Sequence, residues 1–157
     1  MKAMIVNDTE VKISEKFLKE SVKKISSSLE KKKIVDKALC EKELTLVFLD
    51  KLAAKKLNWQ YRQKDYATDI LSFESGDPGS VGELVFCPEV LETQAKEHKQ
   101  TFDQELGLML VHGMLHLLGF DHEEGGEDEK KMMSLQDEVF KELFVVKTKA
   151  KAKSTKK

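Results

Sequence analysis

The spacing of apolar residues along the chain changes between the period of strands and the period of helices. ELTLVFLD at 43–50 is the clearest strand because it is apolar and rich in β-prone residues. The predicted elements are strands at 2–7, 43–50, 68–74 and 82–88, and helices from Ser14 to about Leu29, at 50–62, at 88–99, at 101–118 and at about 126–145. This β-α-β-α-β-β-α-α-α order predicts an α+β fold, a small mixed β-sheet covered by helices.

The helix predicted at 101–118 carries a signal at each end. Thr101, with Gln104 three residues later, matches a capping box, in which two side chains bind free N–H groups of the first turn. Gly119 can adopt the left-handed conformation that commonly closes a helix. We therefore expect one continuous helix between these residues.

The composition is that of a soluble globular protein, with 40% apolar and 35% charged residues among 157. No apolar run approaches the roughly 18–20 residues needed to span a bilayer, so no membrane association is expected. Cys40 and Cys87 form neither a disulfide framework nor a C-x-x-C pair, which favours a reducing compartment. We therefore expect a cytoplasmic protein with a single domain at 1–146.

Residues 147–157 have the composition of a disordered basic tail. The run KTKAKAKSTKK contains six lysines and no acid, and without these lysines the chain has 21 basic and 28 acidic residues. Its net charge is then near −7. The tail is either a solubilising end or a non-specific attractor for phosphates, since lysines near a polyanion release counterions on binding. Charge alone does not identify a nucleic-acid-binding protein here.

Three of the four histidines lie in the segment LMLVHGMLHLLGFDH. His112 and His116 are four residues apart, so on a helix their side chains share a face. After Gly119 the chain can turn back, and His122 can then face the same point. Three imidazoles fill three corners of a tetrahedron and leave the fourth for water, as in catalytic zinc sites. We therefore expect one ion, Zn²⁺ or another divalent metal, on the central helix and the following loop.

Gly113 stands where zinc peptidases carry the glutamate that deprotonates bound water. The glycine argues against peptide hydrolysis by that route. Two explanations for it remain open. It leaves room for a bulky group such as a phosphate to approach the metal over bare backbone, or it allows two helices to pack closely.

The run HGMLHLLGFDH at 112–122 resembles the signature H-G-x-L-H-L-x-G-x-D-H of the YbeY-type rRNA maturation factors. LNWQYRQKDYATDILSF at 57–73 is similar to that family's L-N-x-x-Y-R-x-K-D-x-P-T-D-V-L-S-F segment, and VGELVFCPEV at 81–90 to its L-G-D-I-V-I segment. The resemblance covers about residues 2–145. The departures are Ala67 for proline, Ile70 for valine, Val81 for leucine and Glu83 for aspartate. Glu83 keeps the charge on a longer arm, which leaves the role of that carboxylate open.

The resemblance implies a metal-dependent endoribonuclease that acts on single-stranded RNA in the bacterial cytoplasm. It also implies maturation of the 16S rRNA 3′ end and ribosome quality control, with the small ribosomal subunit and its assembly factors as partners. The motif histidines carry over as metal ligands His112, His116 and His122, and the motif arginine as the catalytic residue Arg62. The basic tail lies outside the resemblance.

The residue chemistry agrees with that activity. Arg62 would offer a planar fork to phosphate oxygens, although without the motif it would be interpreted as a surface arginine at a helix end. Asp121 could fix a histidine tautomer or cap the turn after Gly119.

Aromatic and basic residues surround Arg62 in the sequence, and unpaired bases stack on aromatic rings. The candidates for RNA binding are Trp59, Tyr61, Lys64 and Tyr66. We expect one or two of the three aromatic rings to be buried in the core instead.

Two alternatives to the endoribonuclease remain open: a metallohydrolase of another class, and a non-enzymatic ribosome-assembly factor whose metal only holds the fold. A zinc deaminase would need H-x-E and P-C-x-x-C motifs, which the sequence lacks. An open three-ligand site argues against a purely structural ion, because structural zinc usually has four protein ligands.

Overall fold

Short polar side chains set the starts of four of the described helices. In the computed structural model, which describes residues 1–120 and 126–145, Ser14, Asp36, Asp50 and Thr101 each accept a hydrogen bond from a backbone N–H of the following turn. The strands are β1 (Lys2–Asn7), β2 (Glu43–Phe48), β3 (Ile70–Glu74) and β4 (Ser80–Phe86). The helices are α1 (Glu15–Lys31), α2 (Lys37–Cys40), α3 (Lys51–Arg62), α4 (Pro88–Glu97), α5 (Phe102–Leu117) and α6 (Glu127–Phe140), followed by a π-helical segment at Lys141–Val145.

The predicted order of elements is confirmed, with differences at their ends. The short helix α2 is additional. Strand β4 lies two residues earlier than predicted, because Ser80 already pairs with Glu43 and Pro88 begins α4. The last helix changes to π-helical geometry at Lys141, which places the ring of Phe144 over Gly107. The predicted tail at 147–157 lies outside the described residues and stays a prediction.

The sheet is mixed, with strand order β1-β2-β4-β3. Strand β2 pairs in parallel with both β1 and β4, and Leu46 lies opposite Leu84 in the second of these pairs. Strand β3 pairs antiparallel with β4, so that Ser72 lies opposite Leu84. This hairpin places β3 at one edge of the sheet. Along the chain, β3 follows α3 after a short loop.

Helix α5 lies at the centre of the fold. It packs on β3 and β4 and also contacts α1, α4 and α6. Because it has neighbours on several sides, it is apolar over most of its circumference. Its fully buried residues include Leu106, Leu110, Val111 and Leu115. On the sheet, the buried rings of Phe48 and Phe86 stack with centroids 5.2 Å apart.

The two cysteines are not bonded to each other in the structure. Cys40 and Cys87 are free thiols, and burial raises the pKa of the Cys87 thiol. In residues 1–120 and 126–145, every helix is too short or too polar to cross a lipid bilayer.

Candidate metal centre

The helix that carries the first two motif histidines, Phe102–Leu117, begins and ends within one residue of the predicted bounds. Thr101 Oγ1 accepts from the Gln104 N–H at 3.0 Å, and Gln104 Oε1 accepts from the Thr101 N–H at 3.0 Å. Gly119 has φ +97°, the left-handed conformation expected just beyond the helix. The capping box and the glycine therefore mark the two ends of α5. His112 and His116 lie on successive turns near its C-terminal end.

The two imidazoles face each other across one helical turn. Their Nε2 atoms lie 3.0 Å apart, and their ring centroids are 4.5 Å apart. Two nitrogen ligands of a tetrahedral zinc ion, with bonds of about 2.0–2.1 Å, lie about 3.3 Å apart. The separation in this structure is thus close to that of two ligands of one ion, and the donor set fits a divalent metal.

The third predicted ligand, His122, lies outside the described residues, as does Asp121. Within residues 1–120 and 126–145, the structure contains no group of three or more His, Cys, Asp or Glu side chains placed to hold a metal ion. The histidine pair is therefore the described part of the candidate centre.

The histidine pair opens into a cleft of about 600 Å³ between α5, the end of α3 and strand β3. Arg62, the last residue of α3, is exposed and lines this cleft together with His112 and His116. The edge strand supplies much of the remaining wall, including Ser72, Phe73 and Glu74. Arg62 is distant from α5 in the sequence, yet its positively charged side chain lies in the same cleft as the two imidazoles.

The three aromatic rings predicted near Arg62 all lie at the surface. Trp59, Tyr61 and Tyr66 are 56%, 57% and 52% exposed, so the expectation that one or two are buried is wrong. Trp59 and Tyr61 lie on helix α3, and Tyr66 lies in the loop that follows it. Exposure leaves each ring open to a binding partner.

The RNA-binding candidates do not all lie together. Tyr61 lines the cleft, where its ring packs edge-on against Phe73 with centroids 5.0 Å apart. Tyr66 instead lines a separate groove between α3 and α4. Lys64 is exposed in the loop after α3 and Trp59 is exposed on the helix, and neither lines the cleft.

Gly113 is explained by packing against the sheet. A Cβ atom at this position would lie 2.6 Å from Ile70 Cδ1 and 2.8 Å from Leu84 Cδ2. The glycine therefore lets α5 approach β3 and β4 closely. This differs from both sequence-based explanations, because Gly113 faces the sheet rather than the cleft or another helix.

Glu83 lies on the central strand β4, opposite Thr45 on one side and Phe73 on the other. It is exposed and does not line the cleft. The substitution of glutamate for aspartate is therefore compatible with the described site, since the longer arm extends into solvent.

Sequence reasoning missed Gln136. It lies on α6 and is 6% exposed, and its Oε1 accepts a hydrogen bond from His112 Nδ1–H at 2.7 Å. A signal was available, because Gln136 is a polar residue one turn after Met132 on the apolar stripe of that helix. A buried carboxamide on such a stripe indicates a specific partner.

Two further polar residues in the segment at 57–73 shape the cleft and were also missed. Asn58 is fully buried and donates through Nδ2 to the Tyr66 carbonyl at 2.7 Å, which ties the loop after Arg62 back to α3. Asp69 lines the cleft, and its Oδ1 accepts from the Ile70 N–H at 2.8 Å. Asn58 could have been found as a polar residue on the inward side of an amphipathic helix.

Comparisons with known proteins assign the chain to a family. The family model described as "Endoribonuclease YbeY" matches residues 4–144. A protein of Bdellovibrio bacteriovorus named endoribonuclease YbeY is 49% identical over 144 residues, covering 92% of this chain and 96% of its own length. A Ureaplasma urealyticum protein of the same name is 34% identical over 149 residues, covering 92% of this chain and 94% of its own.

A solved structure has the same fold. The solution structure of TM1509 from Thermotoga maritima is 28% identical in sequence and superposes with a TM-score of 0.62 over 89% of this chain and 87% of that one. The family model spans nearly all of the described residues, and two proteins named endoribonuclease YbeY match this chain over most of their length. The chain therefore belongs to the YbeY endoribonuclease family.

Proposed function

We propose that this protein is a metal-dependent endoribonuclease that cleaves single-stranded RNA. In the cell it would act in maturation of the 16S rRNA 3′ end and in ribosome quality control, in the cytoplasm. The observation that carries the proposal is the pair of Nε2 atoms 3.0 Å apart in a cleft that Arg62 also lines. An ion site and a guanidinium in one cleft could together stabilise the negative charge that develops on a scissile phosphodiester.

His112, His116 and His122 would hold one divalent ion, with zinc as the first choice. Imidazole also suits nickel, copper and iron, so the choice of zinc rests on the three-ligand pattern. When bound, the ion would supply a Lewis acid for a phosphoryl oxygen and lower the pKa of a water molecule towards about 7. The proposed nucleophile would then need no carboxylate base at position 113.

Arg62 would bind the phosphate oxygens that the ion does not. Its guanidinium carries a positive charge and presents parallel N–H donors that match a phosphate. Asn58 supports this role because it anchors the loop that directly follows Arg62. The cleft also contains the carboxylates of Asp69 and Glu74, which oppose anion binding and increase the need for cations at the phosphate.

Tyr61 would provide a stacking surface for an unpaired base. Its ring is 57% exposed but is held edge-on by Phe73, so its orientation is partly fixed before RNA arrives. Stacking on an aromatic ring contributes about 1–3 kcal/mol per base and needs an unpaired base. This supports a preference for single-stranded RNA.

Gly113 argues against the peptidase alternative in the structure as in the sequence. The position that carries the general base in zinc peptidases faces Ile70 and Leu84 here, and even a Cβ atom would collide with them. A cleavage assay distinguishes the endoribonuclease from the other alternative, a non-enzymatic assembly factor.

The test uses purified full-length protein and RNA of one sequence in single-stranded and duplex form. We expect cleavage of the single strand only, loss of cleavage with chelator, and recovery when zinc is added back. His112→Ala serves as the control for a contaminating nuclease. Protein that binds zinc, remains folded and leaves single-stranded RNA intact would contradict the proposal and favour the non-enzymatic assembly factor.

The cellular role has its own test. In a strain depleted of the protein, we expect 16S rRNA precursors with unprocessed 3′ ends, and in the complemented strain we expect the protein to co-sediment with small ribosomal subunits. Normal 3′ ends in the depleted strain would remove rRNA maturation from the proposal and leave the in vitro activity unaffected.

A further inference from the structure

Gln136 is a polar residue placed among buried apolar side chains. It is 6% exposed, and its neighbours on the buried side of α6, Met132 and Val139, are completely buried. Burying an amide without a hydrogen-bond partner costs free energy, whereas a leucine at the same position would pack α6 without that cost. The presence of glutamine thus points to a requirement beyond packing.

The partner of Gln136 is one of the proposed metal ligands. Its Oε1 lies 2.7 Å from His112 Nδ1, across the contact between α6 and α5. A carboxamide oxygen only accepts hydrogen bonds, so the imidazole carries its proton on Nδ1. The lone pair is then on Nε2, the atom that lies 3.0 Å from His116 Nε2.

We propose that Gln136 is a positioning residue for the metal centre: it fixes the tautomer and the ring plane of His112 so that Nε2 is ready to bind the ion. This inference rests on the metal site of the proposed function. Hydrogen bonds from the non-coordinating nitrogen orient metal-binding histidines, and removing such a partner typically weakens metal binding by about 10–100-fold. Gln136 touches neither the ion nor the substrate, so it acts only through His112.

The experiment compares the zinc affinities of three variants with that of the wild-type protein, measured by competition with a chromophoric chelator. Gln136→Leu removes the acceptor and keeps a residue suited to burial, and we expect a loss of about 10–100-fold. Gln136→Glu keeps an oxygen acceptor, and we expect affinity equal to or higher than wild type. Gln94→Leu, the same exchange at a half-buried position of α4 away from the cleft, is the matched control and should bind zinc as the wild type does.

The outcomes separate this inference from the proposed function. Wild-type affinity in Gln136→Leu would overturn the role of Gln136 and leave the metal site standing. Equal losses in Gln136→Leu and Gln136→Glu would also overturn it, because the amide would then be donating rather than accepting. A wild-type protein that takes up no zinc would overturn both the metal site and the inference.

A second measurement does not depend on the folding of any variant. Nitrogen-15 NMR of the metal-free wild-type protein near neutral pH should show His112 with its proton on Nδ1, protected from solvent exchange. A His112 ring protonated on Nε2 would contradict the inference even if all variants fail to fold.

Discussion

At the scale of single residues, Gly113 shows how a position beside the candidate metal ligands can serve packing. Its neighbours in the chain, His112 and Met114, point to the cleft and the core, while Gly113 itself lies against Ile70 and Leu84. Glycine costs a helix about 1 kcal/mol relative to alanine. The close approach of α5 to the sheet offsets that cost.

Gly113→Ala should therefore destabilise the protein in spite of its better helix propensity. The added Cβ would lie 2.6 Å from Ile70 Cδ1, and overpacking of this kind costs about 1–3 kcal/mol. We expect the free energy of unfolding in urea to fall by up to about 2 kcal/mol after the gain in propensity is subtracted. Gly76→Ala is the control, since a Cβ at Gly76 meets nothing within 4 Å and should leave stability unchanged. A stabilised Gly113→Ala protein would show that the helix can shift away from the sheet.

Arg62 allows a prediction about activity without a change in fold. Its side chain is exposed, so Arg62→Ala should retain the unfolding transition and the zinc affinity. Loss of a charged donor to the scissile phosphate should lower the single-turnover cleavage rate by about 100–1,000-fold. Arg62→Lys should recover only part of this rate, because an ammonium group lacks the bidentate fork.

The matched control for Arg62 is Lys56→Ala, which removes a positive charge from an exposed position of the same helix outside the cleft. We expect a cleavage rate close to wild type for this variant. Equal losses of cleavage rate for Lys56→Ala and Arg62→Ala would mean that Arg62 contributes only non-specific electrostatic attraction for RNA.

At the scale of secondary-structure elements, an ion pair joins the end of α4 to the start of α5. His98 follows α4 and has a side chain 52% exposed, and its Nδ1 lies 2.8 Å from Oε1 of the fully buried Glu105. Gln100 Nε2 donates to the same oxygen at 2.8 Å. These contacts connect the α4–α5 turn to the helix that carries the histidine pair.

The His98 contact should make stability depend on pH. The hydrogen bond and the charge of Glu105, with a smaller contribution from Glu97, raise the pKa of His98 above its usual value of 6.5. A folded-state pKa above the unfolded value means that this stabilisation is complete below pH 6.5 and is lost as pH rises through the raised pKa. Solvent screening of the half-exposed ring keeps the effect below about 1 kcal/mol.

The measurement is urea unfolding of wild type and His98→Gln, which keeps a donor but does not titrate, at about pH 6 and about pH 8. We expect the wild-type protein to lose stability relative to the variant as pH rises. Parallel pH profiles of the two proteins would show that the ion pair contributes nothing.

At the scale of the whole molecule, charge is unevenly divided along the chain. Residues 147–157 carry six lysines, while the rest of the chain has 21 basic and 28 acidic residues. An RNA-cleaving domain with an excess of acids repels its substrate at long range. The tail, whose placement lies outside the described residues, stays a predicted site of non-specific attraction.

Deletion of the tail should therefore weaken RNA binding and leave the chemical step unchanged. We compare the full chain with a chain that ends at Val146 across a salt series. The slope of log affinity against log salt should be steeper with the tail, by roughly 0.7 for each phosphate contact on a single strand. The apparent KM should rise at low salt after deletion, whereas the single-turnover rate at saturating RNA should not change. Equal salt slopes for the two chains would reduce the tail to a solubilising end.

The sequence by itself determined the elements and one part of the site. Ser14, Asp50, Thr101 and Gly119 act on the backbone within about four residues, so the helix boundaries they set were predictable. The spacing of His112 and His116 follows in the same way from helical geometry. The motif identified the family for the same reason, since it lies within a continuous stretch of the chain.

The tertiary structure decided what depends on contacts between distant segments. The strand order β1-β2-β4-β3 brings Arg62 into one cleft with histidines some 50 residues later in the chain. No local sequence pattern predicts a contact between segments that are distant in the chain. Three features depend on such contacts: the exposure of the aromatic rings of α3, the packing of Gly113 on β3 and β4, and the hydrogen bond from His112 to Gln136. Side-chain periodicity shows which face of an element is buried, but only the folded chain determines which partner covers that face.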